Sequence, residues 1–210
     1  VTGTAIVRDG YQAPTPVTVL GSDELMAQAP ANIADAVNQL PAVNGGMTTQ
    51  NNNQGFSAGN IGIVSMNLRN IGSNRTLVLL DGKRSVASSA TGLVDVNTFP
   101  QELVSRVDVV TGGASAVYGS DALAGVVNFV LDKTYTGIKG ELSGGITSYG
   151  DDPSWKLAVT AGTGFASDRG HFLISGEINH VDGIFGVPRA WAMTGRFFLK
   201  NPSYSATNGQ

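Results

Sequence analysis

The last third of the chain alternates between apolar and other side chains with a period of two residues. The alternation runs through Ile138–Ile146, Trp155–Ala161 and Phe172–Ile178. The turn-forming stretches GDDPS and ASDRG separate these segments. A period of two places the apolar side chains on one face of a strand, so this region predicts antiparallel strands that each have one apolar face.

Two architectures fit these strands. Segments of about ten residues with one apolar face, joined by turns, are typical of outer-membrane β-barrel strands; a soluble β-meander is the alternative. Three or four strands cannot close a barrel, and an open edge in lipid would leave backbone groups unpaired. If these strands cross a membrane, we therefore expect most of the barrel to lie beyond Gln210.

Residues 1–133 mix helix and strand signals instead. An apolar stripe at i, i+3, i+4 and i+7 from Ile33 to Leu40 predicts a helix that Asn32 caps and Pro41 ends. Short helices are also predicted after Ser22 and after Pro100. The predicted strands are Val17–Leu20, Val64–Gly72, Thr76–Leu80, Val107–Val110 and Gly125–Lys133. Two polar, glycine-rich loops around residues 44–62 and 85–95 interrupt this region.

Charge and composition exclude several classes of protein. The 13 Lys and Arg against 16 Asp and Glu give a net charge of −3, with no basic cluster, which argues against a nucleic-acid partner. Charged residues make up 14% of the chain, below the ~25% of an average soluble protein. There is no cysteine, which excludes disulfides and thiolate metal sites. No apolar run approaches the ~20 residues that a membrane helix needs.

Candidate catalytic motifs fail in detail. The run from Gly113 to Val117 lacks the last glycine of a nucleophile elbow, and no lysine follows it as in a P-loop. His171 and His180 are nine residues apart in one predicted strand, so they face opposite sides. Asp151 and Asp152 are interpreted as a solvated turn. We therefore expect no catalytic site, no metal site and no cofactor.

Several motifs in collinear order resemble one family. They are TPVTVLGSDEL, IADAVNQLPAV, MNLRNIGSNRTLVLLDGKR and VDVNTFPQELVSRVDVVTGGASAVYGSDALAGVVNFVLDK. Together they are similar to the plug domain of TonB-dependent outer-membrane receptors. The resemblance implies an α+β plug domain at residues 14–133, followed from 134 to 210 by the first antiparallel transmembrane β-barrel strands of an incomplete barrel. Residues 1–13 would be a segment near the TonB box, with Val1, Thr2 and Gly3 in contact with TonB.

The resemblance implies transport, not catalysis. A scarce ligand of the siderophore, vitamin or saccharide class would be taken up across the Gram-negative outer membrane. The partners would be TonB with its inner-membrane energising complex, outer-membrane lipid and a small-molecule or oligosaccharide ligand. Two alternatives stay open: a soluble β-rich extracytoplasmic binding module, and a signalling receptor with an N-terminal extension that would precede Val1.

Candidate functional residues follow from the same resemblance. The polar loops predict ligand contacts, which would come from Asn51, Asn52, Asn53, Phe56, Ser88, Ser89 and Thr91. Arg69, Arg75 and Arg106 are expected to bridge the plug to carboxylates inside the barrel. Ser105 stands where the family usually has an acid, so the contact between plug and barrel is expected to be weaker or rewired. Gly112, Gly113, Gly119 and Gly125 would serve close packing. The apolar residues between and beside them would be buried: Ala114, Val117, Tyr118, Leu123 and Val126.

Overall fold

Two sheets, formed by separate parts of the chain, make up the fold. A computed structural model of the protein describes residues 16–26, 32–48, 60–112, 114–167, 169–184 and residue 189. The first sheet, here the mixed sheet, has five strands in the order β1-β4-β5-β2-β3. These strands are β1 (Val17–Gly21), β2 (Thr76–Leu80), β3 (Lys83–Arg84), β4 (Val104–Val110) and β5 (Gly125–Leu131). Only the β2–β5 pair is parallel among the described strands, with Thr76 opposite Gly125.

The centre of the mixed sheet is buried on both faces. Strands β2 and β5 are largely apolar, TLVLL and GVVNFVL, which is typical of strands that are covered on two sides. On one face Phe129 is fully buried and meets Phe99 edge-on, with ring centroids 5.3 Å apart. On the other face Leu77, Leu79 and Val110 form a smaller cluster. The sequence prediction of a buried strand closed by the Asp81-Gly82 turn is confirmed.

Short helices cover both faces of this sheet: the first two pack over the face that contains Phe129, and the third packs by the cluster of Leu77, Leu79 and Val110. They are α1 (Ser22–Met26), α2 (Ile33–Asn38) and α3 (Ser115–Tyr118). In α2 the residues Ile33, Ala36 and Val37 are buried, as the predicted stripe requires, and Asn32 is the N-cap. Single 3₁₀ turns lie at Ser73–Arg75, Val96–Thr98, Gln101–Leu103 and Ser120–Ala122. The turn at Gln101–Leu103 stands where a short helix was predicted after Pro100.

The predicted strand at residues 64–72 is wrong. Its backbone bonds to loops instead of a strand: Ser65 N–H donates to the carbonyl of Met47, and Val96 N–H donates to that of Val64. The one bridge in this stretch joins Leu68 to Val43. Residues 63–68 are all buried: Val64, Met66 and Leu68 belong to the main apolar core, and Ser65 and Asn67 bond to the loop at residues 45–47. The alternation in the sequence therefore marks extended backbone inside the core and not a sheet member.

Part of the glycine-rich stretch also differs from expectation. Ala114 and Val126 are buried, but Val117 is 50% and Leu123 is 56% exposed. The four-residue helix α3 directs Tyr118 towards the cluster of Leu77, Leu79 and Val110, so the side chain of Val117 points away from that cluster. Both side chains are thus exposed in the described part of the chain, and their burial inside a complete barrel stays a prediction.

The second sheet, here the antiparallel sheet, is a three-stranded meander. Its strands are β6 (Gly137–Gly145), β7 (Ser154–Phe165) and β8 (Gly170–Val181), in the order β6-β7-β8. The register places Leu142 opposite Leu157 and Leu157 opposite Ile178, so the predicted apolar positions form continuous rows. The predicted strands are therefore confirmed. None of the helices in the described ranges is long and apolar enough to cross a membrane.

Candidate functional site

The antiparallel sheet has two chemically opposite faces. Its apolar face is exposed: Ile138 is 81%, Leu142 80% and Ile174 59% accessible. Its other face carries polar groups and is buried along the middle of β7, with Lys156 6% and Thr160 0% exposed. A single-layer sheet can bury one face only against another body. The polar face therefore packs on the mixed-sheet unit, and the apolar face is the outer surface.

A buried ion pair joins the two bodies. Nζ of Lys156, on β7, lies 3.0 Å from Oε1 of Glu102, in the 3₁₀ turn that precedes β4. The side chains of both residues are less than a tenth exposed. The same ammonium lies 3.2 Å from Oε2 of Glu141 on β6, and Lys139 Nζ donates to the backbone carbonyl of Glu102. One turn of the mixed-sheet unit is thus held by two lysines of the antiparallel sheet.

Sequence reasoning did not single out this cluster. One sequence signal could have found it: Lys139, Glu141 and Lys156 all occupy the non-apolar positions of their alternating strands, and therefore the same face of the sheet. Ser105, where the family resemblance led us to expect an acid, donates through Oγ to the carbonyl of Val130, 3.0 Å away. The carboxylate that reaches the antiparallel sheet is therefore Glu102, three residues earlier.

The three predicted arginines make contacts within the mixed-sheet unit. Arg75 Nη1 donates to the carbonyl of Ile71, and Arg106 Nε lies 3.1 Å from Oδ1 of Asp108. Arg69 adopts φ +56 and its backbone N–H donates to the carbonyl of Ala42. Their bridging to barrel carboxylates stays a prediction.

The predicted ligand loop at residues 88–92 is ordered by its own hydroxyl groups. Oγ of Ser88 accepts from the backbone N–H of Asp95, and the hydroxyls of Ser89 and Thr91 are 2.8 Å apart. Thr91 Oγ1 also donates to Oδ1 of Asn60, 3.4 Å away. Asn60 lies in the other predicted loop, at residues 44–62, so the two loops meet here. Asn51, Asn52, Asn53 and Phe56 lie outside the described residues, as do Val1, Thr2 and Gly3.

A cleft of about 680 Å³ separates the mixed-sheet unit from β8. Asn97 and Thr98 line one side, and Asn179 and Val181 line the other. Asn97 also donates through Nδ2 to the carbonyl of Gly62. The region around the two loops therefore lies near the β8 end at Val181.

The turn between β6 and β7 is more highly organised than a solvated turn. Asp151 forms an ion pair with Arg189: Nη2 donates to Oδ1 at 2.8 Å, Nη1 lies 2.8 Å from Oδ2, and the guanidinium lies 3.9 Å from the centre of the Tyr149 ring. Hydrogen bonds from Arg189 and from the Thr147 hydroxyl hold the pKa of Asp151 below its usual range. The interpretation of Asp151 as a solvated residue is thus wrong, because a residue 38 positions later binds it.

Comparison with known proteins identifies the family. The model of the TonB-dependent receptor plug domain matches residues 9–126, more than half of the chain. The chain therefore belongs to the TonB-dependent receptor plug family. This is a family of transport receptors, and no enzymatic activity characterises it. The predicted fold class, a plug domain followed by strands of a receptor barrel, is confirmed.

Solved receptors share the fold. The siderophore receptor PirA from Pseudomonas aeruginosa is 24% identical, with a TM-score of 0.57, over 82% of this chain and 30% of its own. A mutant of the ferric enterobactin receptor PfeA from the same organism, in complex with enterobactin, is 22% identical, with a TM-score of 0.61, over 81% and 25%. PirA from Acinetobacter baumannii is 22% identical, with a TM-score of 0.60, over 79% and 24%. The chain thus spans less than a third of the length of these receptors.

Proposed function

We propose that this chain is the plug and the first wall strands of a receptor that takes up a scarce ligand across the Gram-negative outer membrane in a TonB-dependent manner. In this proposal the plug comprises residues 14–133, and the wall begins at residue 134 and includes β6, β7 and β8. The observation that carries the proposal is the orientation of the antiparallel sheet. Its polar face holds the plug and its apolar face is bare, which is the arrangement of a barrel wall with lipid outside and a filled lumen.

Loop length supports an orientation for the wall. Outer-membrane barrels have short periplasmic turns and longer extracellular loops. The β7–β8 connection spans residues 166–169, whereas the β6–β7 connection spans 146–153. The end of the wall at Val181 and Ser154 therefore faces outward. The loop of Ser88, Ser89 and Thr91 would then lie towards this outer end, where a ligand would arrive, and the cleft between Asn97 and Asn179 supports this orientation.

The remaining assignments rest on the family. Val1, Thr2 and Gly3 would lie near the segment that TonB engages, and Arg69, Arg75 and Arg106 would face carboxylates of later wall strands. Asn51, Asn52, Asn53 and Phe56 would complete the ligand surface beside Thr91. Similar receptors are named for siderophores and for ferric enterobactin. A ferric siderophore is therefore the first ligand to test, before vitamins and saccharides.

Uptake by whole cells tests the function. The full-length receptor is expressed in a Gram-negative strain that lacks its own siderophore receptors, and radioactive iron bound to enterobactin is the first probe. A hydroxamate siderophore, cobalamin and a maltooligosaccharide follow in parallel. We expect energy-dependent accumulation of one probe that disappears in a tonB deletion. Accumulation that persists without TonB would contradict the proposal.

A second measurement distinguishes the membrane receptor from the alternative, a soluble β-rich binding module. A barrel in detergent migrates faster on a gel before boiling than after it, because its closed hydrogen-bonded wall resists unfolding. We expect this shift for the full-length receptor, together with its recovery in the outer-membrane fraction. Recovery in the periplasm without detergent would favour the soluble module.

A further inference from the structure

Lys156 is shared between the two bodies of the molecule. Its ammonium is 3.0 Å from a carboxylate of the plug, Glu102, and 3.2 Å from a carboxylate of the wall, Glu141. Glu102 is the more buried partner, with its side chain 4% exposed, and Glu141 is 26% exposed. One cation thus has two competing partners, and only one of them can leave with the plug.

The two partners of the Lys156 ammonium have different fates when the plug moves away from the wall. A buried ion pair that loses one member leaves an uncompensated charge, which is strongly unfavourable. A plug held only by Glu102 and Lys156 would resist release for this reason. Because Glu141 already contacts the same ammonium, Lys156 keeps a partner when Glu102 departs.

The strand register of the wall fixes the position of Glu141 beside Lys156. Glu141 on β6 and Glu177 on β8 both lie opposite Ala158 on β7. Lys156 is two residues from Ala158 and therefore on the same inward face. The inward face of the wall thus places a carboxylate on each side of the lysine, and these carboxylates do not move with the plug.

We propose that Glu102, Lys156 and Glu141 form an exchangeable latch, in which the ammonium passes from the plug carboxylate to the wall carboxylate as the plug leaves. Glu102 stabilises the docked plug, and Glu141 stabilises the wall after undocking. The latch rests on the proposed function in one respect, that the plug separates from this part of the wall. The two carboxylates on one lysine consequently act in opposite directions on plug release.

Cysteine labelling of the purified full-length receptor tests the latch without TonB or ligand. The 210 residues contain no cysteine, and Thr160 is fully buried on the inward face, so Thr160→Cys reports exposure of the wall beneath the plug once any cysteine elsewhere in the receptor is replaced by serine. The rate of maleimide labelling is measured over a series of sub-denaturing urea concentrations. Because the assay contains no transport step, failure of the uptake experiment and failure of the latch are distinguishable.

The two isosteric variants have opposite expected effects. We expect Glu102→Gln to raise the labelling rate about tenfold or more, because the docked plug loses its buried pair. We expect Glu141→Gln to lower the rate about threefold, because the undocked lysine loses the wall carboxylate that contacts it and keeps only Glu177 on this face. Asp121→Asn, which removes an exposed plug ion pair with Arg84, is the matched control and should leave the rate unchanged.

Several outcomes would overturn the latch. A Glu141→Gln rate that rises with that of Glu102→Gln, or that does not change, would mean that Glu141 belongs to a static network. If Glu141→Gln fails to assemble, Glu141→Asp keeps the charge but withdraws the carboxylate from Lys156. This variant should slow labelling in the same direction, and faster labelling would equally reject the proposal.

Discussion

At the scale of single residues, Gly125 shows why one position in the plug accepts no side chain. It begins β5 with φ +140, a conformation that other residues rarely adopt. A Cβ here would lie 2.1 Å from the carbonyl oxygen of Val110 and 2.7 Å from Cδ1 of Leu68. The expectation that this glycine serves close packing is confirmed, because backbone of the neighbouring strand occupies the space.

Gly125→Ala should therefore destabilise the plug by about 2–4 kcal/mol, from backbone strain and steric overlap together. Urea titration of the full-length receptor, followed by hydrogen exchange of β5 peptides, measures this loss. Gly21→Ala is the matched control, because a Cβ at this position would meet no atom within 4 Å beyond its chain neighbours, and the φ of Gly21 is not positive. Equal effects of the two substitutions would contradict the packing explanation.

The lowered pKa of Asp151 leads to a prediction about pH. Its folded pKa is depressed by Arg189 and by Thr147, so its contribution to holding the loop is present above the ordinary value of 3.8 and is lost as pH falls through the lowered value. Hydrogen exchange of residues 146–153, corrected for the intrinsic rate, should stay slow down to about pH 4 and rise only below it. Asp151→Asn should exchange faster and without this transition. Ser148→Ala, in the same loop, should behave as the parent, and a transition near pH 6 would contradict the assignment.

At the scale of elements, α2 is capped from two directions. Oδ1 of Asn32 accepts from the N–H of Ala34 at 2.8 Å, and Oε1 of Gln101 accepts from the N–H of Ile33 at 2.7 Å. The local cap was predictable from the sequence, because an N-cap acts within three residues. The distant cap was not, because 68 residues separate Gln101 from Ile33.

Asn32→Ala should lower the free energy of local opening of α2 by about 1–2 kcal/mol, since a buried N–H loses its acceptor. Hydrogen exchange of residues 33–38 in the intact receptor measures this change. Asn32→Asp keeps an acceptor in the same place and should recover most of the loss. An Asp variant as unstable as the Ala variant would show that the contact of Asn32 with Asn97, and not the cap, stabilises the helix.

Sequence reasoning predicted the features that depend on neighbouring residues and missed those that depend on residues far apart in the chain. The strands β6, β7 and β8 were predictable because alternation and turn residues are local signals. The stretch from Val64 to Gly72 alternates equally well, but its neighbours are loops, and sequence does not reveal what covers a segment. The pairs Glu102 with Lys156 and Asp151 with Arg189 join residues 54 and 38 positions apart. Nothing near either carboxylate in the sequence distinguishes it from a surface acid.

At the scale of the whole molecule, the outer face of the wall has the dimensions of a bilayer. Aromatic residues mark both ends of β7 on this face, Trp155 at one end and Phe165 at the other. The ten residue steps between them span about 33 Å along a strand. A tilt of about 40° reduces this to about 25 Å, the height of the apolar band of outer-membrane barrels, which aromatic girdles flank. The Trp155 ring stacks near that of His180, so this girdle continues onto β8.

In the proposed receptor, depth in the bilayer decides what a charge costs on this face. Val159 lies near the middle of the band, opposite Gly140 and Gly176, and its side chain is 50% exposed. Val159→Arg should cost about 2–4 kcal/mol, whereas Thr163→Arg, near the inner girdle, should cost about 0–1 kcal/mol. Urea titration of the full-length receptor folded into lipid vesicles measures both. In water neither exposed position would penalise arginine, so a difference of this size requires lipid against β7, and equal small costs would place this face in solvent instead.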